Sequence, residues 1–414
     1  MKTTWVAWAA VVWSLSGACG GDAGGSAVEV VDADADRDAD RDADSDRDAD
    51  ADADSDSATD TATDTATATD TATDTATDTA TDTATDTATA TDTATDTVTT
   101  PVPGAWFTHP MPWDARVDEL PAANASPTLI AALAGRGGWG NGGDFAIDFS
   151  ITVLTADGSP YRAFTPNGDF FDGECDPVPM PVPAGGALEG QDAYACDDDG
   201  DCHLIVHDPA ARLLFEMWRA DLTGGAFSGG CLAVWHLDRA YDDTLRGDQC
   251  TSADAAGLPI TPLLFTADEV AAGHIDHAIR FILPNGRIRN RTYVRPATHA
   301  TGAASGGDPP PRGAGRSARG VRLRLRADYP LASLPSDGAR VVARALQRFG
   351  MILADGGQIA LTAQSDRFGS TRSWDGLLAA DDLEALAVSD FEVVDLGPTF
   401  RWTGDCVLND PEAE

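Results

Sequence analysis

The sequence predicts a mainly β fold: a β-sandwich or jelly-roll-like core with a few peripheral helices, behind a disordered N-terminal stalk. Three observations predict it. Short apolar–polar alternations recur between residues 145 and 328, whereas helix-period stretches are few. Six cysteines fall beyond residue 170, a pattern suited to an exported, disulfide-closed domain. Residues 31–100 hold 22 Asp, 3 Arg and no aromatic residue, so they lack the apolar surface to offset ordering entropy.

The chain opens "MKTTWVAWAAVVWSLSGACGG". Lys2 is a minimal positive flank, residues 5–15 are an apolar run too short to span a bilayer, and small residues lead to Cys19. "LSGAC" resembles a bacterial lipobox, with Ser16 where that motif usually carries an aliphatic residue. The expected organisation is a signal segment over 1–18, a lipidated Cys19 with a stalk over 19–103, and a single β-rich, disulfide-containing domain over 104–414. The "TATD" repeats disfavour both helix and sheet, and a fully extended 70-residue spacer would reach about 230 Å at about 3.3 Å per residue. The net charge is −39, of which residues 31–100 contribute −19 and residues 101–414 another −19. Such a domain does not favour nucleic acid or anionic lipid. Lys2 is the only lysine, which excludes Schiff-base, pyridoxal-phosphate and P-loop lysine chemistry from a processed chain.

Within 104–414 the strands follow in order. "FAIDFSITVL" alternates; "HLIVHD" and "RLLFEMWRAD" read as a hairpin across "PAA"; "GCLAVWHLD", "HAIRFILP" and "RTYVRP" are further strands. In "VRLRLRAD", Val321, Leu323, Leu325 and Ala327 share one face and Arg322, Arg324 and Arg326 the other, solvated or paired with carboxylates. Between these last two runs, the Gly/Pro-rich stretch 298–320 is a long loop. Around Pro259 and Pro262 the pattern suggests short, broken helices. "TADEVAAG" has Thr266 as N-cap, Glu269 three residues on and Gly273 as stop. "PSDGARVVARALQRFG" is the strongest helix, capped by Ser336 or Asp337, with Val341, Val342, Ala345, Leu346 and Phe349 as its apolar stripe. "DDLEALAVSDF" reads as another short helix.

With Cys19 lipidated, six cysteines remain and allow 15 pairings. Cys196 and Cys202 flank the acidic turn "CDDDGDCH". Cys231 and Cys250 bracket an 18-residue segment, which leaves Cys175 with Cys406. Aligning Gly200 as position 6 of an EF-hand loop puts Ala195 at position 1 and Val206 at position 12, so calcium is unsupported by EF-hand spacing and stays open only as a looser acidic loop. No cofactor and no metal site is expected.

HExxH, Gly-x-Ser-x-Gly, P-loop and strand-coupled GxGxxG motifs are absent. Glycoside hydrolysis needs two carboxyl groups, one with a raised pKa. The candidates are Glu216, which interrupts "LLFEMW" beside Trp218, with Asp254 or Asp276. Trp218 and Trp139, the latter in "GRGGWGNGG", are candidate stacking platforms for a sugar, Trp139 also being open to packing into the core. His277 and His299 are candidate ligand contacts, and His203 and His207 form a pair without the further ligands zinc needs.

"YACDDDGDCHLIV", "LLFEMWRADLTGG", "CTSADAAGLPI", "DEVAAGHIDHAIRF", "YVRPATH" and "ARVVARALQRFGMILADGG", taken together, resemble a family of bacterial exported proteins and lipoproteins over about residues 104–400. The resemblance implies export and one shared domain architecture, and supplies no catalytic residue. The expected function is a lipid-anchored, stalked extracytoplasmic domain of the cell envelope, at the outer membrane or cell surface. It would bind a glycan or other envelope polymer, with weak hydrolase activity open. The alternative is a non-catalytic assembly or adhesion module that contacts an envelope protein.

Overall fold

The alternating stretch 145–154 folds as two strands, β1 (Ile147–Ile151) and β2 (Val153–Thr155), which enter different sheets. The computed structural model describes residues 106–197, 200–302, 317–394 and 397–409. The signal segment, Cys19 and the 31–100 tract lie outside the described residues, as do Asp198 and Asp199 of the acidic turn. The further strands of three or more residues are β3 (Leu204–Asp208), β4 (Leu213–Trp218), β5 (Cys231–His236), β6 (Ile279–Leu283), β7 (Ile288–Val294), β8 (Ser317–Arg319), β9 (Arg322–Leu325), β10 (Met351–Gly356), β11 (Leu361–Gln364), β12 (Phe391–Val393) and β13 (Thr399–Arg401). The helices are α1 (Ser126–Gly135), α2 (Ala267–Ala272) and α3 (Asp337–Arg348). The described residues are thus mainly strand with few helices.

Three sheets matter for the site. The largest runs β1–β11–β6–β10–β9–β12, with β1/β11 and β6/β10 parallel and the other pairs antiparallel. The second runs β2–β3–β4–β5, antiparallel except for β2/β3. The third is β8–β7–β13. Apolar side chains on both faces of a strand read as a continuous run, and "LIV" in β3 is such a run. Leu204 and Val206 pack outward with Phe215, Met217 and Met180. Ile205 packs the other way, in one cluster with Leu214, Ala233 and Trp235 of its own sheet and Ile352 and Ala354 of β10. The opposite face of the largest sheet, through Phe281, Leu323 and Leu353, is covered by Val342 and Leu346 of α3.

The helix signals hold where caps are explicit. Thr266 and Glu269 form a reciprocal capping box on α2, and Gly273 ends it in the left-handed region at φ +89°. Ser336 Oγ accepts from the Ala339 amide, 3.0 Å, at the start of α3. The sequence reading missed α1, whose N-cap Ala125 offers no side-chain acceptor. The "DDLEALAVSDF" segment forms turns and a single 3-10 turn, Val388–Asp390, rather than an α-helix.

The expected arginine face holds in part: Arg326 is exposed and Arg324 pairs with Glu392, whereas the burial of Arg322 and Arg324 is a correction. Arg322 and Arg324 are buried, and backbone carbonyls serve them as well as carboxylates. Arg322 donates to Phe349 O at 2.5 Å, Pro112 O at 3.0 Å and Ala115 O at 2.8 Å. Arg324 donates to Val117 O, to Leu120 O at 3.0 Å and to the Glu392 carboxylate at 2.5 Å. The 112–120 segment lies over this strand and presents carbonyls that the two guanidiniums satisfy. Burial pushes the Arg322 guanidinium down to about 9, against the pull of the Asp114 charge.

Two of the three expected disulfides are also corrected. Cys196–Cys202 forms as expected, with its Cα atoms 5.9 Å apart. The other bridges are Cys175–Cys231 and Cys250–Cys406, not Cys231–Cys250 and Cys175–Cys406. The segment after Cys175 runs beside β5: the Asp176 amide donates to Leu232 O, 2.8 Å, and its carboxylate accepts from the Val234 amide, 2.8 Å. That approach brings Cys175 to Cys231. The C-terminal segment hydrogen-bonds around Gln249, where Trp402 Nε1 donates to Gln249 O (3.0 Å) and the Thr403 amide to Gln249 Oε1 (2.7 Å), so Cys250 meets Cys406.

Candidate functional site

Ends of all three sheets converge on one cavity of about 410 Å³, within the range of small-molecule sites. Trp218 closes β4, Asp355 lies near the end of β10, Arg319 ends β8, and Trp402 follows β13. The segment Thr251–Ala255 and His299 complete the base, and Phe171 and Asp201 stand beside Trp218.

The disulfides hold the walls. Asp201 lies in the loop closed by Cys196–Cys202, and its carboxylate accepts from Trp218 Nε1 at 2.7 Å. The Arg219 guanidinium lies 5.3 Å from the Trp218 ring, and Phe171 packs 6.0 Å from it. Cys250–Cys406 ties the segment carrying Trp402 to the segment beginning at Thr251. The Arg291 guanidinium sits 5.2 Å over the Trp402 ring. Each tryptophan is half-buried with its indole N–H satisfied, and both line the cavity.

The base is polar and incompletely satisfied. His299 is 1% exposed. Its Nδ1 lies 2.8 Å from Ala255 O, so that nitrogen donates. Burial, joined by the Arg319 charge and opposed by the Ala255 hydrogen bond, pushes His299 down to about 4. The ring is therefore neutral near pH 7, and Nε2 is an acceptor without a hydrogen-bond partner. Its nearest acid is Glu174, at 3.9 Å. Arg319 is also 1% exposed, and its Nε and Nη1 have no partner. Its Nη2 is 3.8 Å from Asp355 Oδ1, beyond a hydrogen bond. Gly320 allows this placement: at φ +81° the chain turns so closely past the Val294 carbonyl that a Cβ would collide with it.

Behind the base lies an ionic layer. Arg280 donates to Asp254 at 3.0 Å and lies 3.6 Å from Asp355. Burial, reinforced by the Asp254 charge, raises the Asp355 carboxyl despite Arg280 and Arg319. His203 lies 2.6 Å from Glu189 and 3.1 Å from Ala253 O, bracing the Thr251–Ala255 segment from behind. Burial alone would depress His203, but the Glu189 charge and hydrogen bond outweigh it and hold it up at about 9.

The sequence-derived candidates are distributed unevenly. Trp218 and His299 line the cavity. Asp254 is fully buried behind the cavity, paired to Arg280. Asp276 is exposed and pairs with His274 at 3.0 Å, away from the cavity lining. His277 bridges Glu269 (3.2 Å) and Ala278 O (2.8 Å), a structural tie for α2. Of the two readings open for Trp139, platform or core packing, packing holds: it is 1% exposed, packs on Phe145 and Phe391 and donates to Leu386 O at 2.7 Å. Glu216 is fully buried and does not line the cavity. It accepts from the Thr261 amide (2.7 Å), Thr261 Oγ1 (2.8 Å), the Ile260 amide (2.9 Å) and Trp235 Nε1 (3.2 Å). The sequence pairing of Glu216 with Asp254 or Asp276 thus gives no accessible pair of carboxyl groups. Sequence reading missed Arg319, Asp355, Trp402, Phe171 and Asp201. The usable signal was "ADGG" at the end of an apolar strand, which sets an acid at the C-terminal end of that strand.

Comparison with known proteins adds no family. No family model, curated protein or solved structure matches this chain. Among the described residues, no cluster of three or more His, Cys, Asp or Glu could hold a metal ion, and no helix is long and apolar enough to cross a membrane.

Proposed function

We propose that the domain is a carbohydrate-binding module of the cell envelope, held out on a stalk from a lipid anchor at Cys19. The anchor and stalk rest on the sequence alone. The binding reading rests on one observation: a cavity walled by Phe171, Trp218 and Trp402 over a base of unsatisfied polar atoms. Sugars present apolar C–H faces that stack on aromatic rings and hydroxyls that satisfy buried donors and acceptors. The alternative, a module that docks on an envelope protein, predicts binding through an outer surface and indifference to the cavity.

The test is binding of the full chain to a panel of soluble and insoluble polysaccharides, with Trp218→Ala and Trp402→Ala alongside. The expected result is binding to at least one glycan, weakened at least several-fold by either variant. Binding unchanged in both variants, or no binding across the panel, sinks the reading.

A further inference from the structure

Three residues that line the cavity, Arg319, His299 and Thr301, carry buried polar atoms without a hydrogen-bond partner. A buried polar group without a partner costs free energy, and a buried guanidinium costs more than most. Arg319 brings two such donors, Nε and Nη1, and His299 brings an acceptor, Nε2. Both side chains line the same cavity and both are almost wholly buried. Other buried arginines are served: Arg322 and Arg324 by carbonyls and a carboxylate, and Arg280 by Asp254. Arg319 has only Asp355 at 3.8 Å, and Asp355 also stands 3.6 Å from Arg280. The guanidinium of this cavity-lining residue is thus left with unmet donor capacity.

We infer that the cavity selects an acidic sugar, a uronic acid residue, with Arg319 taking the carboxylate and His299 Nε2 accepting a neighbouring hydroxyl. This rests on the carbohydrate reading and names the class of sugar within it. The aromatic walls fit a pyranose ring, but rings alone do not distinguish a neutral sugar from an acidic one. The donor–acceptor set does. A carboxylate matches the unmet donors of a guanidinium, in a hydrogen bond that is charged on both sides and so stronger than one to a neutral hydroxyl. The neutral His299, with its proton held on Nδ1 by Ala255 O, presents the complementary acceptor for an O–H. A neutral sugar would satisfy His299 and leave Arg319 with weaker partners. The inference also predicts that the Arg319 side chain adds little to the empty fold, because it makes no hydrogen bond there and only a long ion pair with Asp355.

The experiment is calorimetric titration of the full chain with galacturonate and glucuronate and their short oligomers, against galactose and glucose and theirs. The same series is run on Arg319→Met, with the melting temperature of both proteins. The wild type should prefer the acidic sugar by roughly ten- to a hundredfold, the span of a hydrogen bond to a charged group. Arg319→Met should bring acidic and neutral sugars within about twofold, and its melting temperature should hold or rise as the unmet donors disappear. Equal wild-type affinity for acidic and neutral sugars overturns the uronate assignment and leaves the carbohydrate reading standing. Binding to no sugar overturns both. A preference that survives Arg319→Met, or a variant that fails to fold, overturns the role given to Arg319.

Discussion

Glu216→Gln is the substitution on which a structural and a catalytic reading of that residue part most clearly. Every partner of the carboxylate donates to it: two backbone amides, a threonine hydroxyl and an indole N–H. Burial pushes the Glu216 carboxyl up, and the Thr261 and Ile260 amides pull it down. Glutamine keeps the shape but turns one oxygen into an NH₂. At Oε2 that nitrogen would face the Trp235 indole, 3.2 Å away, and the shared Ile260 amide. One buried donor is orphaned, at about 1–3 kcal/mol, and the remaining bonds lose their charged acceptor, so the loss is about 3 kcal/mol. For a domain of this size that lowers Tm by roughly 4–6 °C. Scanning calorimetry measures the shift, and titration with any glycan the wild type binds measures the site. Affinity should stay within about twofold, because Glu216 does not line the cavity. A Tm within about 1 °C of wild type, combined with lost binding or lost turnover, would refute the assignment.

Trp139→Ala should cost about 3–5 kcal/mol by removing a core indole, read as a lower denaturation midpoint with glycan binding unchanged at a temperature where the fold persists; weaker binding at full stability would restore it as a platform. The His203–Glu189 pair sets a pH dependence. His203 is raised to about 9 from 6.5, so its contribution is complete below pH 6.5 and fades as pH climbs through 9, by at most about 3 kcal/mol. Glu189 is held low because, although burial raises it, the His203 charge and hydrogen bond prevail, so its share is present above 4.5 and fades on acidification. Tm should therefore fall from pH 6.5 to 10 in the wild type and flatten in His203→Gln; an unchanged slope in the variant contradicts the pairing. Non-reducing peptide mapping should recover Cys175 with Cys231 and Cys250 with Cys406, and a Cys231–Cys250 peptide would contradict the account of both walls.

What could be read in the sequence was local. The hairpin of β3 and β4, the capping box at Thr266, the Ser336 cap and the Cys196–Cys202 loop each depend on residues a few positions apart, where spacing carries the physics. What could not be read depends on partners brought from afar. Glu216 looks like an acid in an apolar strand until Ile260 and Thr261 bring their amides to it. The arginines of β9 look like a solvent face until the carbonyls of residues 112–120 cover them. Cys231 and Cys250 look like a closed loop, but the segment at Cys175–Asp176 runs along β5 and claims Cys231 first. The cavity is the extreme case. Trp218, His299, Arg319, Asp355 and Trp402 come from separate elements, and only their tertiary convergence reveals one site.

The most direct test of the central claim is a crystal structure of the domain with the glycan it binds best. The account predicts a sugar ring between Trp218 and Trp402, with its carboxylate on Arg319 Nε or Nη1 and a hydroxyl on His299 Nε2. A glycan bound with the cavity left empty would contradict it.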